Sequence, residues 1–166
     1  MKAILVYGSC YGSTRRYAEE LSRRTGWPAC PVQDHPDLTP YDTVVHLGGL
    51  YAEKVMGLGW TAGNLPAGAK LIVVTVGLGD PAASAARRDA GIRKQLPDGT
   101  QAESFHLRGA LDMKKLTLRH RLMLKAFWAV TAIAAGKEAG SAAGRSEQAD
   151  YVNFSDLEPL AERLQA

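Results

Sequence analysis

The chain has 166 residues, 46% of them hydrophobic and 22% charged, with a formal net charge of +3 at pH 7. That balance excludes a disordered tail, a collagen-like fibre and a disulfide-dense scaffold, and the length suffices to bury one core without staples. No apolar run approaches the roughly 20 residues of a membrane span. The opening stretch, Met1 to Gly8, is too short and too weakly basic for a signal peptide, so a cytoplasmic protein is expected.

Ala3-Ile4-Leu5-Val6-Tyr7 is a continuous apolar run ending in Gly8, as in a strand buried on both faces of a parallel sheet. Gly8 to Ser13 reads as a loop and Thr14 to Thr25 as a helix, capped by Ser13 or Thr14 and stopped by Gly26 and Pro28. Cys30 to Gln33 is a weak second strand, and Thr43 to Leu47 a stronger third that ends in Gly48-Gly49. Leu71 to Val76 is the clearest strand and runs into the glycine loop Gly77 to Asp80. A helix over Ser84 to Leu96, a strand over Glu103 to Leu107 and a terminal helix over Asp156 to Leu164 complete an alternating α/β pattern with a parallel sheet. The whole chain, 1–166, reads as a single domain, with residues 137–149 a Gly-, Ala- and Ser-rich flexible loop.

Three strands therefore run into small or glycine-bearing loops, Gly8–Thr14, Gly48–Ala52 and Gly77–Pro81. In a doubly wound sheet these carboxyl ends share one rim, where ligands bind. The alternative is that the glycines only make turns. The first loop places Ser9, Cys10, Tyr11, Gly12, Ser13 and Thr14 at a helix amino end, whose unpaired N–H groups and dipole attract a phosphate. A Walker loop is excluded, because Ser13 stands where its lysine belongs, and the three-glycine dinucleotide pattern fails as well. Asp34 is better read as a turn residue than as a ribose ligand. A further alternative is a cysteine phosphatase, with Cys10 and Arg16 as the Cys-x5-Arg pair and Asp80-Pro81 supplying the acid.

The stretch Ile4 to Thr14 resembles the phosphate loop of flavodoxins, with Ser9, Gly12 and Thr14 matching the pattern Ser/Thr-x-Thr-Gly-x-Thr and Tyr11 replacing a threonine. With Tyr41 to Val45, Gly48 to Ala52, Thr75 to Pro81 and Phe105 to Asp112, the chain more specifically resembles the flavodoxin-domain group that includes menaquinone-dependent protoporphyrinogen oxidase. The resemblance implies a flavodoxin-like, doubly wound five-stranded parallel sheet of order 2-1-3-4-5 that holds FMN at its rim. It implies that the first loop binds the phosphate. The isoalloxazine would then be flanked by Gly49, Leu50, Tyr51 and Ala52 and by Val76, Gly77, Leu78, Gly79 and Asp80. Tyr51 is the candidate for stacking on the ring. Cys10 is read as a small loop residue rather than a redox thiol. The implied function is an FMN-dependent oxidoreductase or electron-transfer protein whose partner is a redox protein or a quinone, with a porphyrinogen-type substrate a further option. A pure carrier and a non-catalytic binding module remain alternatives. His106 and Asp112 are the titratable candidates near the site, but neither is assigned a catalytic role, and no metal site is expected.

Residues 106–125 contain Arg108, Lys114, Lys115, Arg119, Arg121 and Lys125 against one acid, Asp112. A helical segment at about 113–135 places Leu116, Met123, Phe127 and Val130 on one face, flanked by Leu124 and Trp128, and Lys114, Arg121 and Lys125 opposite. Such a basic helix either packs on the core with a solvated basic face, or meets an anionic membrane surface or an acidic partner. Nucleic acid is not expected, because the aromatics are not interleaved with the cations.

Overall fold

The computed structural model describes residues 2–51, 54–79, 85–112, 114–134 and 148–165, with side chains omitted for residues 127, 128, 131–134, 148 and 165. The chain forms two compact units, Met1–Gly109 with Tyr151–Ala166, and Ala110–Asp150.

In the first unit, strands β1 (Ala3–Gly8), β2 (Ala29–Pro31), β3 (Thr43–Tyr51), β5 (Lys70–Gly77) and β6 (Ala102–Arg108) pair in parallel in the order β2-β1-β3-β5-β6. Counting the parallel strands alone, this is the expected order 2-1-3-4-5. The sheet gains a two-residue strand, β4 (Lys54–Val55), which returns antiparallel along the end of β3.

Strand alternation divides the core between two faces. Leu5, Val45, Leu47, Ile72, Val74 and Val76 lie with Tyr17, Ala18 and Leu21 of α1 (Ser13–Thr25) and with Leu160 and Leu164 of α5 (Glu158–Gln165). Ile4, Val6, Val44, Leu71 and Val73 lie with Leu58 and Ala62 of α2 (Leu58–Gly63) and with Ile92 of α3 (Ala85–Arg93). Helices on both faces make the sheet doubly wound, and the strands read as near-continuous apolar runs for that reason.

Several boundaries differ from the sequence reading. The second strand is shorter, and Val32–Asp34 form a 3-10 turn. The third strand does not stop at Leu47 but continues through both glycines to Tyr51. The helix α2 was not foreseen, since six residues carry too little periodicity. The terminal helix begins at Glu158, after a 3-10 turn over Phe154–Leu157. Gly26 stops α1 as expected, its N–H donating to Ser22 O at 2.8 Å. Ser84, Asp80, Pro81 and Ala52 lie outside the described residues.

Tyr17 ties α1 to the rest of the unit. It is fully buried, donates from its hydroxyl to Arg108 O at 2.7 Å and accepts from Asn153 N at 3.0 Å. Tyr17→Phe is therefore expected to cost roughly 0.5–1.5 kcal/mol, because two part-buried backbone groups lose this partner. Urea titration should show a lower midpoint with an unchanged slope.

The second unit contains β7 (Ala110–Asp112), which pairs antiparallel with β8 (Gln148–Asp150), and the helix α4 (Leu118–Ala134). Residues 148 and 149, read from sequence as loop, are thus in a strand, and residues 135–147 lie outside the described part. Leu116 precedes α4, Met123 and Val130 are exposed, and Arg121 is half-buried. The side chains of Phe127 and Trp128 lie outside the described residues.

Candidate functional site

The first loop leaves β1 at Gly8, which is buried against the end of the β3–β4 hairpin. A Cβ there would stand 2.5 Å from Met56 O, so only glycine lets the two backbones approach this closely. Gly12 then enters α1 as its N-cap with φ 95°, a left-handed conformation, while a Cβ would meet nothing within 4 Å. Conformation rather than space requires glycine at this position. Gly12 N donates to Ser9 Oγ at 3.1 Å, which leaves the Ser9 hydroxyl hydrogen to donate elsewhere.

The expected cap by Ser13 or Thr14 is not formed. No side chain caps α1, and its first turn carries no acidic residue. The first-turn N–H groups keep their outward valence and their partial positive charge. Ser13 is half-buried, and its Oγ would stand 3.2 Å from a Cβ on Gly109. Thr14 is buried, at 2% exposure. Cys10 is exposed, with Sγ 3.7 Å from Met56 Sδ, whereas the Arg16 guanidinium lies 6.0 Å from the centroid of the Phe154 ring.

The second loop is a hairpin rather than an open loop. Leu50 pairs with Val55 and Tyr51 with Lys54. The Tyr51 ring folds over Gly49, where a Cβ would lie 2.9 Å from it, and meets Tyr11 edge-on at a centroid distance of 6.4 Å. Burial, reinforced by the Cys10 and Tyr11 side chains, pushes the Tyr51 phenol well above its ordinary value, so it remains a neutral hydroxyl.

The third loop follows Val76, which is buried, through Gly77 and Leu78, half-buried, to Gly79, exposed. A Cβ at Gly77 would stand 3.4 Å from both Leu50 Cβ and His106 Cε1. Gly109 N donates to Gly77 O at 2.7 Å. The end of β6 thus adjoins the third loop and Ser13, and the second loop adjoins the third at Leu50. The expected first, second and third loops are brought together at one rim.

Two imidazoles brace this rim from the same face of the sheet. His46 is fully buried, with Nε2 2.9 Å from Met56 O and Nδ1 2.8 Å from Thr61 Oγ1. A carbonyl only accepts, so Nε2 carries the proton and the Thr61 hydroxyl donates to Nδ1. Burial lowers the His46 pKa to about 4. His106 stands at the third loop, with Nε2 3.2 Å from Gly79 O and Nδ1 2.8 Å from Thr75 Oγ1, whose hydroxyl also lies 3.2 Å from Phe105 O. Each imidazole links a threonine hydroxyl to a carbonyl at a loop end. His106, a titratable candidate without an assigned role, makes these contacts at the end of the third loop. Asp112 belongs to the second unit, where its carboxylate accepts from Lys114 N at 3.0 Å.

His46, Met56, Arg108 and Gly109 were not picked out from the sequence as site residues. One signal was present for His46: a titratable residue inside an apolar strand must find buried partners. Arg108 closes the rim beside the third loop, its guanidinium 3.8 Å from the centroid of the Tyr151 ring and Nη2 3.5 Å from Leu78 O.

A cavity of about 720 Å³, lined in part by Ala62, Pro66, Lys70, Pro97 and Glu103, opens at the opposite rim, where β5 and β6 begin. Its ionic groups are already engaged, Lys70 Nζ and Arg163 Nη2 lying 3.1 and 2.8 Å from Glu103 Oε1. Among the described residues no group of three His, Cys, Asp or Glu is placed to hold a metal ion.

The family model of the flavodoxin domain matches residues 4–137. No curated protein matches the sequence. A solved structure from Bacteroides eggerthii DSM 20697, assigned as a flavoprotein, superposes with a TM-score of 0.51 at 16% identity, covering 79% of this chain and 98% of that one. A flavodoxin from the domain Archaea aligns with a TM-score of 0.42 at 16% identity, covering 64% of this chain and 85% of that one. At such identity the Bacteroides likeness supports the fold.

Proposed function

The chain belongs to the flavodoxin-domain family, and from that premise we propose that it binds FMN at the rim described above and acts as an oxidoreductase. The observation that carries this reading is the convergence of three strand-end loops on a helix amino end that no side chain caps and whose first turn carries no acid. A phosphate dianion suits that end of α1: the first-turn N–H groups donate, and Ser9 and Ser13 supply hydroxyls. Gly12, with open space on its Cβ side, lets an anion approach the backbone. Loaded FMN supplies one- and two-electron chemistry. The protein's residues supply binding and orientation: Tyr51 and Leu50 line one side of the ring position, and Gly77 to Gly79 line the other. Tyr51, held neutral by burial, offers a hydroxyl or an apolar ring face without adding charge.

The finer reading is a quinone-linked enzyme with a quinone or porphyrinogen-type substrate, as in the group that includes menaquinone-dependent protoporphyrinogen oxidase. It draws on the sequence stretches that resemble that group and on the net charge of +3, since ordinary flavodoxins are acidic shuttles.

Titration of the purified chain with FMN is the test. The expected result is a yellow, stoichiometric complex whose flavin fluorescence is quenched. Absence of both colour and calorimetric heat would remove the flavin assignment and leave the fold. Reduced complex that is reoxidised by a short-chain quinone supports the enzyme. Reoxidation by one-electron protein acceptors alone returns the reading to a carrier.

A further inference from the structure

The second unit carries a basic helical segment with exposed aliphatic side chains. Residues 113–134 contain Lys114, Lys115, Arg119, Arg121 and Lys125 and no acidic residue. Helix α4 spaces Leu118, Leu122, Ala126 and Val130 four residues apart, on one side. These positions are open to solvent: Leu118 is 70% exposed, Leu122 59% and Val130 66%, with Met123 beside them at 41%. Lys114, Lys115, Arg119 and Lys125 are exposed as well, so cations edge the aliphatic stripe.

A run of solvated leucine and valine side chains is not neutral for a soluble surface and marks a binding face. Its chemistry selects among occupants. A second copy of this helix would bring like charges together with no acid in the segment to pair them. An acidic protein would satisfy the cations, but it would have to bring an aliphatic groove as well. An anionic bilayer satisfies both at once, with phosphates meeting the ammonium and guanidinium groups and the acyl boundary receiving the aliphatic side chains. Among the described residues no helix is long and apolar enough to cross a membrane. We propose that α4 docks the protein on the surface of an anionic phospholipid bilayer, its Leu118–Leu122–Val130 side entering the headgroup boundary.

This inference is independent of the flavin reading, and its test reads no flavin signal. Full-length protein is sedimented with vesicles of phosphatidylglycerol and phosphatidylcholine in equal parts, and with pure phosphatidylcholine vesicles. At least about tenfold stronger partitioning onto the anionic vesicles is expected, lost in large part at high salt. The triple variant Leu118→Ser, Leu122→Ser, Val130→Ser changes only solvent-facing positions and should partition at least about tenfold more weakly, with an unchanged circular dichroism spectrum. A quadruple variant with Lys114, Lys115, Arg119 and Lys125 each replaced by glutamine should lose the preference for anionic lipid. Equal binding to both vesicle types, no binding of the wild type, or wild-type binding by the serine variant overturns the proposal. So does light scattering that shows the stripe holding a dimer in the absence of lipid affinity. The wild-type comparison between the two vesicle types and two salt levels decides the matter even where a variant fails to fold.

Discussion

Replacing His46 with leucine is expected to lower stability by roughly 2–6 kcal/mol and to weaken FMN binding by at least about tenfold. Leucine fills a similar space but leaves Met56 O without its donor and the Thr61 hydroxyl without its acceptor, both beside a fully buried position. Met56 is the residue at which the hairpin returns to the first loop, against Gly8, so a loosened Met56 displaces Tyr51 and the first loop together. The same imidazole governs the acid response. Unfolded, it protonates near its ordinary 6.5; folded, it resists protonation down to about 4. Between those values the unfolded chain binds a proton that the folded chain refuses. The stability present above pH 6.5 is therefore lost as pH falls through that window, by roughly 3 kcal/mol. Urea midpoints measured at pH 7 and at pH 4.5 should diverge for the wild type and draw together for His46→Leu. His46→Gln, which retains an N–H for Met56 O, should fall between. Equal midpoints for wild type and His46→Leu at pH 7 would show that the imidazole braces nothing.

What the sequence made legible follows from where each signal is local. The runs Ala3 to Tyr7 and Leu71 to Val76 are buried on both faces, so composition alone marks them, and the glycines after them mark the rim. The second loop was not legible as a hairpin. Gly48 and Gly49 read as a turn, yet they are strand residues whose missing side chains make room for the hairpin's return at Val55 and Met56 and for the Tyr51 ring. That requirement comes from residues folding back across the strand. Helix α2 exists because Leu58 and Ala62 are buried under the sheet, a tertiary cause that six residues of sequence do not display. The partners of His46 stand 10 and 15 residues further on and meet it only after the chain turns twice. For α4 the helical period was legible in the spacing of Leu118, Leu122 and Val130. The absence of a cap on α1 was not legible. Hydroxyls before a helix usually serve its own N–H groups, whereas here a left-handed glycine opens the helix and leaves those groups outward.

That uncapped end supplies the sharpest test of the site. Ser13→Asp should weaken FMN binding by about 100-fold or more, and riboflavin binding by less than about threefold. The carboxylate would stand in the first turn of α1, beside the position assigned to the phosphate. At an effective dielectric near 20, two unit charges about 4 Å apart repel by about 4 kcal/mol, so a loss of about 2.7 kcal/mol survives considerable screening. The same carboxylate is favourable to the helix itself. Negative charge at the amino end contributes about 0.3–1 kcal/mol, and α1 has no acid in its first turn, so the ligand-free protein should be as stable as the wild type or slightly more so. Affinity and stability thus move in opposite directions, which a general disturbance of the loop cannot produce. Calorimetric titration with FMN and with riboflavin, alongside thermal melts of the ligand-free proteins, separates the cases. Equal losses for the two flavins would move the phosphate away from α1. Undiminished FMN affinity would mean that no anion binds at this helix end.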